Sequence, residues 1–239
     1  VTSCHGFLFH LKKGVLGLKF LRVIKWFLVT MLLIVGCALI FNHQIASWFL
    51  SQQHSQIETT SSNKHASYNF QNVKALSTWD VVDAQFKAKH FIGVVAIPQI
   101  NLSVPISEGV NNQTLKQGAG TLRKDQQMGV GNYALAGHNM HKGSTILFGP
   151  LYTSAKVGQT IYLSDLKHVY EYKTTLVQQI PATDVGVVSD TPEKIVTLIT
   201  CNNDGSARIE VRGKFVKQYT YKTANHELKQ FLTQNVKAK

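Results

Sequence analysis

Cys201 is the residue of this chain best placed for covalent chemistry. The other two cysteines, Cys4 and Cys37, lie before or within an apolar N-terminal run, so Cys201 is the only thiol of the remainder. It has no disulfide partner there, which is unusual for an exported domain. It closes the apolar run Lys194-Ile195-Val196-Thr197-Leu198-Ile199-Thr200 and is followed at once by Asn202-Asn203-Asp204-Gly205. A strand end holds a side chain firmly and leaves it open to a groove; the alternative is a buried small hydrophobe, as free cysteine often is. An ordinary thiol titrates near 8.5, so roughly a few per cent is thiolate at neutral pH, and a reactive one needs a base or a positive neighbour. Of the ten histidines, His138 stands out in Gly137-His138-Asn139, just beyond the strand-like Tyr133–Ala136. His141 follows three residues on, and Asn139, next in sequence, need not face the ring. Arg208 begins the next β-rich run across the short turn Asn202–Ala207, so Cys201 and Arg208 can lie on adjacent antiparallel strands. A guanidinium there can hydrogen-bond a peptide carbonyl or a developing oxyanion. A cross-strand ion pair is the other reading, and Arg212 would serve it equally well.

The elements that must position these residues are strands. Phe91–Ile97 and Ile100–Val104 are β-branched runs ended by Pro98 and Pro105, and Tyr133–Ala136, Thr160–Leu163, Val169–Ile180 and Ile195–Thr200 continue the pattern. Arg208–Tyr221 is a long strand with an expected break at Gly213. Asn111–Gln117 suits one or two helical turns, Ile146–Ser154 mixes a turn with loop, and Ile180–Lys194 is a loop carrying two prolines. Seven or eight short strands without a long amphipathic helix predict one all-β domain closed into a barrel.

Upstream, Lys12, Lys13, Lys19, Arg22 and Lys25 precede Trp26 without an acid, and no charged residue occurs from Trp26 to Ile57. Hydropathy therefore predicts a cytoplasmic basic segment over 1–25 and a transmembrane signal anchor over 26–47. An extracytoplasmic stalk over 48–85, a barrel over 86–225 and a basic, solvated tail over 226–239 follow. On this reading the protein is single-pass in the cell membrane, N-terminus inside and domain outside. A cleaved leader would need a better site than Ala46-Ser47-Trp48, a lipoprotein signal at Ile34–Cys37 a polar sequel, and a buried soluble helix less charge asymmetry. The net charge of +12 is not a nucleic-acid signal, since the basic residues beyond the flank are scattered and form no stripe.

Thr197–Cys201 (TLITC), Leu135–Asn139 (LAGHN) and Arg208–Val211 (RIEV) resemble the signatures of class A sortases, the housekeeping cysteine transpeptidases of Gram-positive bacteria. Gly118–Thr121 (GAGT) and the segment from Leu147 to Leu151 are similar to the streptococcal and lactic-acid-bacterial branch. The resemblance implies an eight-stranded sortase-type β-barrel with short helices, and a site of His138, Cys201 and Arg208. It implies that Thr200 supports the oxyanion site and that Ala136, Thr197 and Ile199 line a peptide groove. Its substrates would be surface proteins with a Leu-Pro-x-Thr-Gly (LPxTG) signal, cut between Thr and Gly through a thioester, and its acceptor an amine of the lipid-linked peptidoglycan precursor, lipid II. Some members bind calcium near the third and fourth strands; Gly118–Gly131 offers Arg123, Lys124 and a lone Asp125, so no metal or other cofactor is expected. The competing readings are a hydrolytic thiol peptidase, a pilus-type sortase, a zinc site on His138, His141 and Cys201, and a non-enzymatic adhesion or scaffold domain.

Overall fold

The apolar runs form eight strands in the computed structural model, which describes residues 22–37, 40, 55–57, 66–68, 91–140, 145–234 and 236–238. They are β1 (Gly93–Ile97), β2 (Leu102–Ser107), β3 (Ala119–Thr121), β4 (Asn132–Ala136), β5 (Thr160–Ser164), β6 (His168–Pro181), β7 (Ile195–Cys201) and β8 (Ala207–Thr220). They close into one barrel in the order β1-β2-β3-β4-β7-β8-β6-β5, with β5 returning to β1. The pairs β2–β3 and β4–β7 are parallel and the others antiparallel.

The inner face is filled by Val95, Ile97, Leu135, Tyr172, Leu198 and Val211 among others. The run GVVAI of β1 is apolar at every position because both faces are covered. Val95 and Ile97 point to the interior cluster, while Val94 and Ala96 join Phe91, Val169, Leu228 and Leu232 in a second one. Leu228 and Leu232 come from a helix, His226–Thr233, which Asn225 caps by accepting from Leu228 N at 2.8 Å. The segment from 226 is thus not simply a solvated tail: two leucines one turn apart are buried, each worth about 1.5–3 kcal/mol if fully removed from water.

Two local expectations change. Pro105 does not end β2; it pairs with Val94 and the strand runs on to Ser107. β3 joins β2 only from Ile106, so Pro105 has a strand neighbour on one side alone, where a missing N–H is tolerated. Nor does β8 break at Gly213. The register slips twice elsewhere: Thr175 is the extra residue on its partner β6, between Thr174 and Leu176, and Val216 is the extra residue on β8, between Phe215 and Lys217. Asn111–Gln117 forms as read, a helix (α1, Asn112–Gln117) whose cap Asn111 accepts from Thr114 N at 2.8 Å. A second short helix (α2, Gly149–Ser154) carries Pro150 in its first turn.

The chain divides into two units, Val1–Ile45 and Ala46–Lys239. In the first, the expectation of a transmembrane anchor over 26–47 is overturned: among the described residues no helix is long and apolar enough to cross a membrane. The described helical residues there are 22–37 and 40, with Arg22 and Lys25 in the first turn. The remainder of the expected span, apart from residue 40, lies outside the described residues. The single-pass membrane location falls with the anchor, and so does the charge argument that placed the barrel outside.

Candidate active site

The strand end and the turn behind it set the geometry. β7 and β8 are antiparallel neighbours, and Cys201 is the direct register partner of Arg208. The turn between them is cross-linked within itself. Asn202 N donates to Ala207 O at 3.1 Å, Ala207 N returns a bond to Asn202 Oδ1 at 3.1 Å, and Ser206 donates from both N and Oγ to Asp204. The Ser206 hydroxyl, first, and then its N–H hold the Asp204 carboxyl below its ordinary range. Arg208 Nη1 donates to Gly205 O at 2.9 Å and to Ala207 O at 3.0 Å, which steadies the guanidinium against its own turn.

His138 arrives from the other side of β7. β4 runs parallel to β7 with Ala136 opposite Ile199, and Gly137 N extends the ladder by donating to Ile199 O at 3.1 Å. Carrying that register on by two residues brings His138 level with Cys201. The junction is tied twice more: Thr200 Oγ1 donates to Gly137 O at 2.8 Å, and Asn139 Nδ2 donates to Cys201 O at 3.1 Å. Gly137 lies against the Phe148 ring, where an added Cβ would come within 2.6 Å of Cγ, and Phe148 N donates to His138 O at 3.0 Å. Only glycine fits that contact unmoved.

Half-buried Cys201, half-buried His138 and Arg208 line one cleft of about 470 Å³. Ala136, Ile199 and Thr200 line it too. Thr197 does not: it is fully buried in the sheet, opposite Arg212. Arg212 is likewise outside the cleft, with Nη2 held 2.6 Å from Oε1 of the buried Glu210. The two arginines of β8 are thereby separated into a cleft residue and an ion-pair residue. His141 lies outside the described residues, and among those described no group of three or more His, Cys, Asp or Glu is arranged to hold a metal.

The structure gives roles to residues that sequence reasoning left out of the site. Asn139 is one, a strap from the histidine loop to the carbonyl of Cys201. The others form the far wall of the cleft: Ala182, Asp184, Val185, Val187 and Val188, from the loop between β6 and β7 that includes the short helical turn Gly186–Val188. Val188 packs on the small cluster of Val110, Leu115, Leu122 and Ala134. The valines at 185, 187 and 188, within a loop otherwise polar, were the available signal.

A barrel with a thiol, an imidazole and a guanidinium on one apolar-walled cleft holds the groups that a cysteine transferase or peptidase uses. Comparison with known proteins narrows the class. The family model described as Sortase domain matches residues 95–216. Sortase A of Streptococcus agalactiae serotype III (strain NEM316) is 38% identical over 226 residues, which cover 87% of this chain and 91% of that protein. Sortase A of Listeria monocytogenes serovar 1/2a (strain EGD-e) is 34% identical over 191 residues, 75% of this chain and 85% of that one. The solved structure of Listeria monocytogenes sortase A matches with a TM-score of 0.55 at 35% identity, covering 62% of this chain and 99% of its own. The chain belongs to the sortase family. It is a sortase-A-like cysteine transpeptidase, which processes LPxTG-type sorting signals and anchors surface proteins to peptidoglycan.

Proposed function

We propose that Cys201 is the nucleophile of this transpeptidase, His138 its proton carrier and Arg208 its oxyanion-binding residue. The observation that carries the assignment is register: Cys201 and Arg208 are cross-strand partners, and the β4–β7 ladder leads His138 to the same level. The Cys201 thiolate attacks the Thr carbonyl of the sorting signal, and the Arg208 fork binds the oxygen that becomes negative. His138, as imidazolium, gives its proton to the departing Gly amine, which leaves a Thr–Cys201 thioester. An incoming amine attacks that thioester and passes a proton to the now neutral His138, releasing Cys201 and completing the exchange of one amide for another.

Thr200 acts through its bond to Gly137 O, holding the nucleophile's strand against the histidine's loop. Ala136 and Ile199 contact the peptide, and the valine-rich wall receives its apolar side chains. Buried Thr197 supports the sheet beneath them. The acceptor is an amine of lipid II and the catalytic unit is the barrel; most of the expected stalk, 48–85, lies outside the described residues.

The test is incubation of the purified protein with an LPxTG peptide, with and without triglycine, followed by mass spectrometry. The expected products are the Thr–triglycine conjugate and an acyl adduct on Cys201 when acceptor is withheld. Retention of cleavage by Cys201→Ala would overturn the assignment.

A further inference from the structure

The far wall of the cleft is not a strand. Residues 182–188 lie in an exposed loop, with Asp184, Val185 and Gly186 open to solvent. A loop of this kind has no ladder to fix its distance from Cys201, so something else must. The bonds that cross to it from the barrel converge on two residues. Asn132, at the start of β4 and wholly buried, donates from Nδ2 to Val187 O at 3.0 Å and to Ser189 O at 2.9 Å. Arg123, in the connection between β3 and β4, donates from Nη1 to Val188 O at 2.6 Å and from Nη2 to Asp190 Oδ1 at 3.1 Å. The same Asp190 oxygen accepts from Asn132 N at 3.1 Å. Backbone N–H groups, Asn132's first, hold the Asp190 carboxyl below its ordinary range, with the Arg123 charge adding to them.

Three successive carbonyls, 187 to 189, and the next side chain are therefore gripped by one amide and one guanidinium. Gly131 makes room for this. Its φ is +53, and a Cβ there would collide with Asp190 Oδ1. Neither Asn132 nor Arg123 lines the cleft, yet the wall residues they hold do. Gln126 extends the brace inward, accepting from Arg123 N at 3.3 Å and donating to Ala134 O at 2.9 Å.

We infer that Arg123 and Asn132 are positioning residues that set the width of the peptide groove, and so govern how tightly and how selectively the apolar end of the sorting signal is bound. The inference rests on the assignment of this cleft as the peptide site. It separates two jobs: β7 and β8 carry the reacting groups, while the clamp on residues 187–190 carries affinity and selectivity. Releasing the clamp lets the wall sample wider positions, which weakens binding of the substrate and its transition state alike. That loss appears in KM, not in kcat.

The experiment uses the full chain and four variants, Arg123→Ala, Arg123→Lys, Asn132→Asp and Asp190→Asn. Asn132→Asp preserves size but turns a donor facing two carbonyls into an acceptor, so it repels the loop without opening a cavity. Each is assayed against the LPxTG peptide and against one with Leu replaced by Ala. For Arg123→Ala and Asn132→Asp we expect KM to rise about tenfold or more, kcat to stay within about twofold, and the preference for Leu over Ala to shrink. Arg123→Lys keeps a charge but not the two-point grip and should fall between Arg123→Ala and the parent. Asp190→Asn should be milder still. Amide hydrogen exchange over residues 182–190 should quicken, while Cys201 alkylation by iodoacetamide should not change. A fall in kcat at constant KM, or undiminished discrimination, would overturn the inference. If Asn132→Asp does not fold, Arg123→Ala still decides, because that side chain is 24% exposed and its removal leaves the core intact. Cys201→Ala runs alongside: cleavage by that variant would refute the assignment of the site itself, whereas an inert Cys201→Ala beside a normal Arg123→Ala would refute only the clamp.

Discussion

The floor and the far wall of the cleft are built by different physics. The floor is sheet. Cys201, Ile199 and Arg208 are set by continuous backbone ladders, in which each residue's position is fixed by its neighbours' hydrogen bonds. The wall is loop, and its position depends on a few side-chain donors reaching over from β4 and from the connection before it. A ladder tolerates the loss of any one side chain, since the backbone pairs remain. A clamp of two residues does not. In the floor, substitutions should act through chemistry and leave geometry alone; in the wall, the reverse should hold.

The sharpest break in that comparison is at Cys201. Cys201→Ala should abolish cleavage and transfer, and Cys201→Ser should be nearly as inactive, because a hydroxyl is far less acidic than a thiol. Both should keep the parent's thermal midpoint within a degree or two, since a half-buried strand-end side chain contributes little to the core. A large drop in midpoint would mean that the floor is more fragile than its ladder implies. His138→Ala comes next and should lose on the order of a hundredfold to ten-thousandfold in kcat/KM, the range for removing a general acid–base group. Iodoacetamide should still modify Cys201 in that variant, and loss of labelling would show that the ring's main task is structural.

Arg208→Lys should cost on the order of 3 kcal/mol in the transition state, roughly a hundredfold in kcat/KM, because the planar fork of donors is lost although the charge remains. Gly137→Ala should be gentler, about tenfold in kcat. Its methyl meets the Phe148 ring, so the loop bearing His138 must shift, and the effect should reach kcat through the proton carrier while KM stays nearly constant. A change confined to KM would place that loop on the wall's side of the comparison. The smallest effect belongs to Arg212→Lys, within about twofold in kcat/KM, because Arg212 pairs with Glu210 away from the cleft. If Arg212→Lys were crippling and Arg208→Lys harmless, the two arginines would have to exchange roles.

How much of this was open to reading from the residues depended on range. The Cys201–Arg208 pairing was legible because only a short turn separates two strand-like runs, and short turns between such runs make hairpins. The His138 loop was legible as a motif, but not its docking: the β4–β7 pair is parallel and joins segments some sixty residues apart, with β5 and β6 in between. Barrel closure was expected from the count of short strands, and the exchange of neighbours that produces the order β4-β7-β8-β6 was not.

What the sequence by itself determined is which reactive groups are at hand: one thiol beyond the N-terminal run, a histidine in a glycine-flanked turn and an arginine one hairpin away are matters of residue type and short spacing. Hydropathy in the first fifty residues suggested a membrane span because a window sums composition, whereas among the described residues no helix is long and apolar enough to cross a membrane. The tertiary structure alone decided the rest. It buried Thr197 and opened Ile199, although both point to the same side of β7, because neighbouring segments cover one and leave the other at the cleft. It packed Leu228 and Leu232 on the outer face of β1, where the sequence had only a basic tail to show. It also brought Arg123, Asn132 and Asp190 together from two separate connections and the start of β4. Hydrogen bonds over such separations leave no periodicity in the chain, since what selects them is the backbone curvature of a loop that exists only once the barrel has closed.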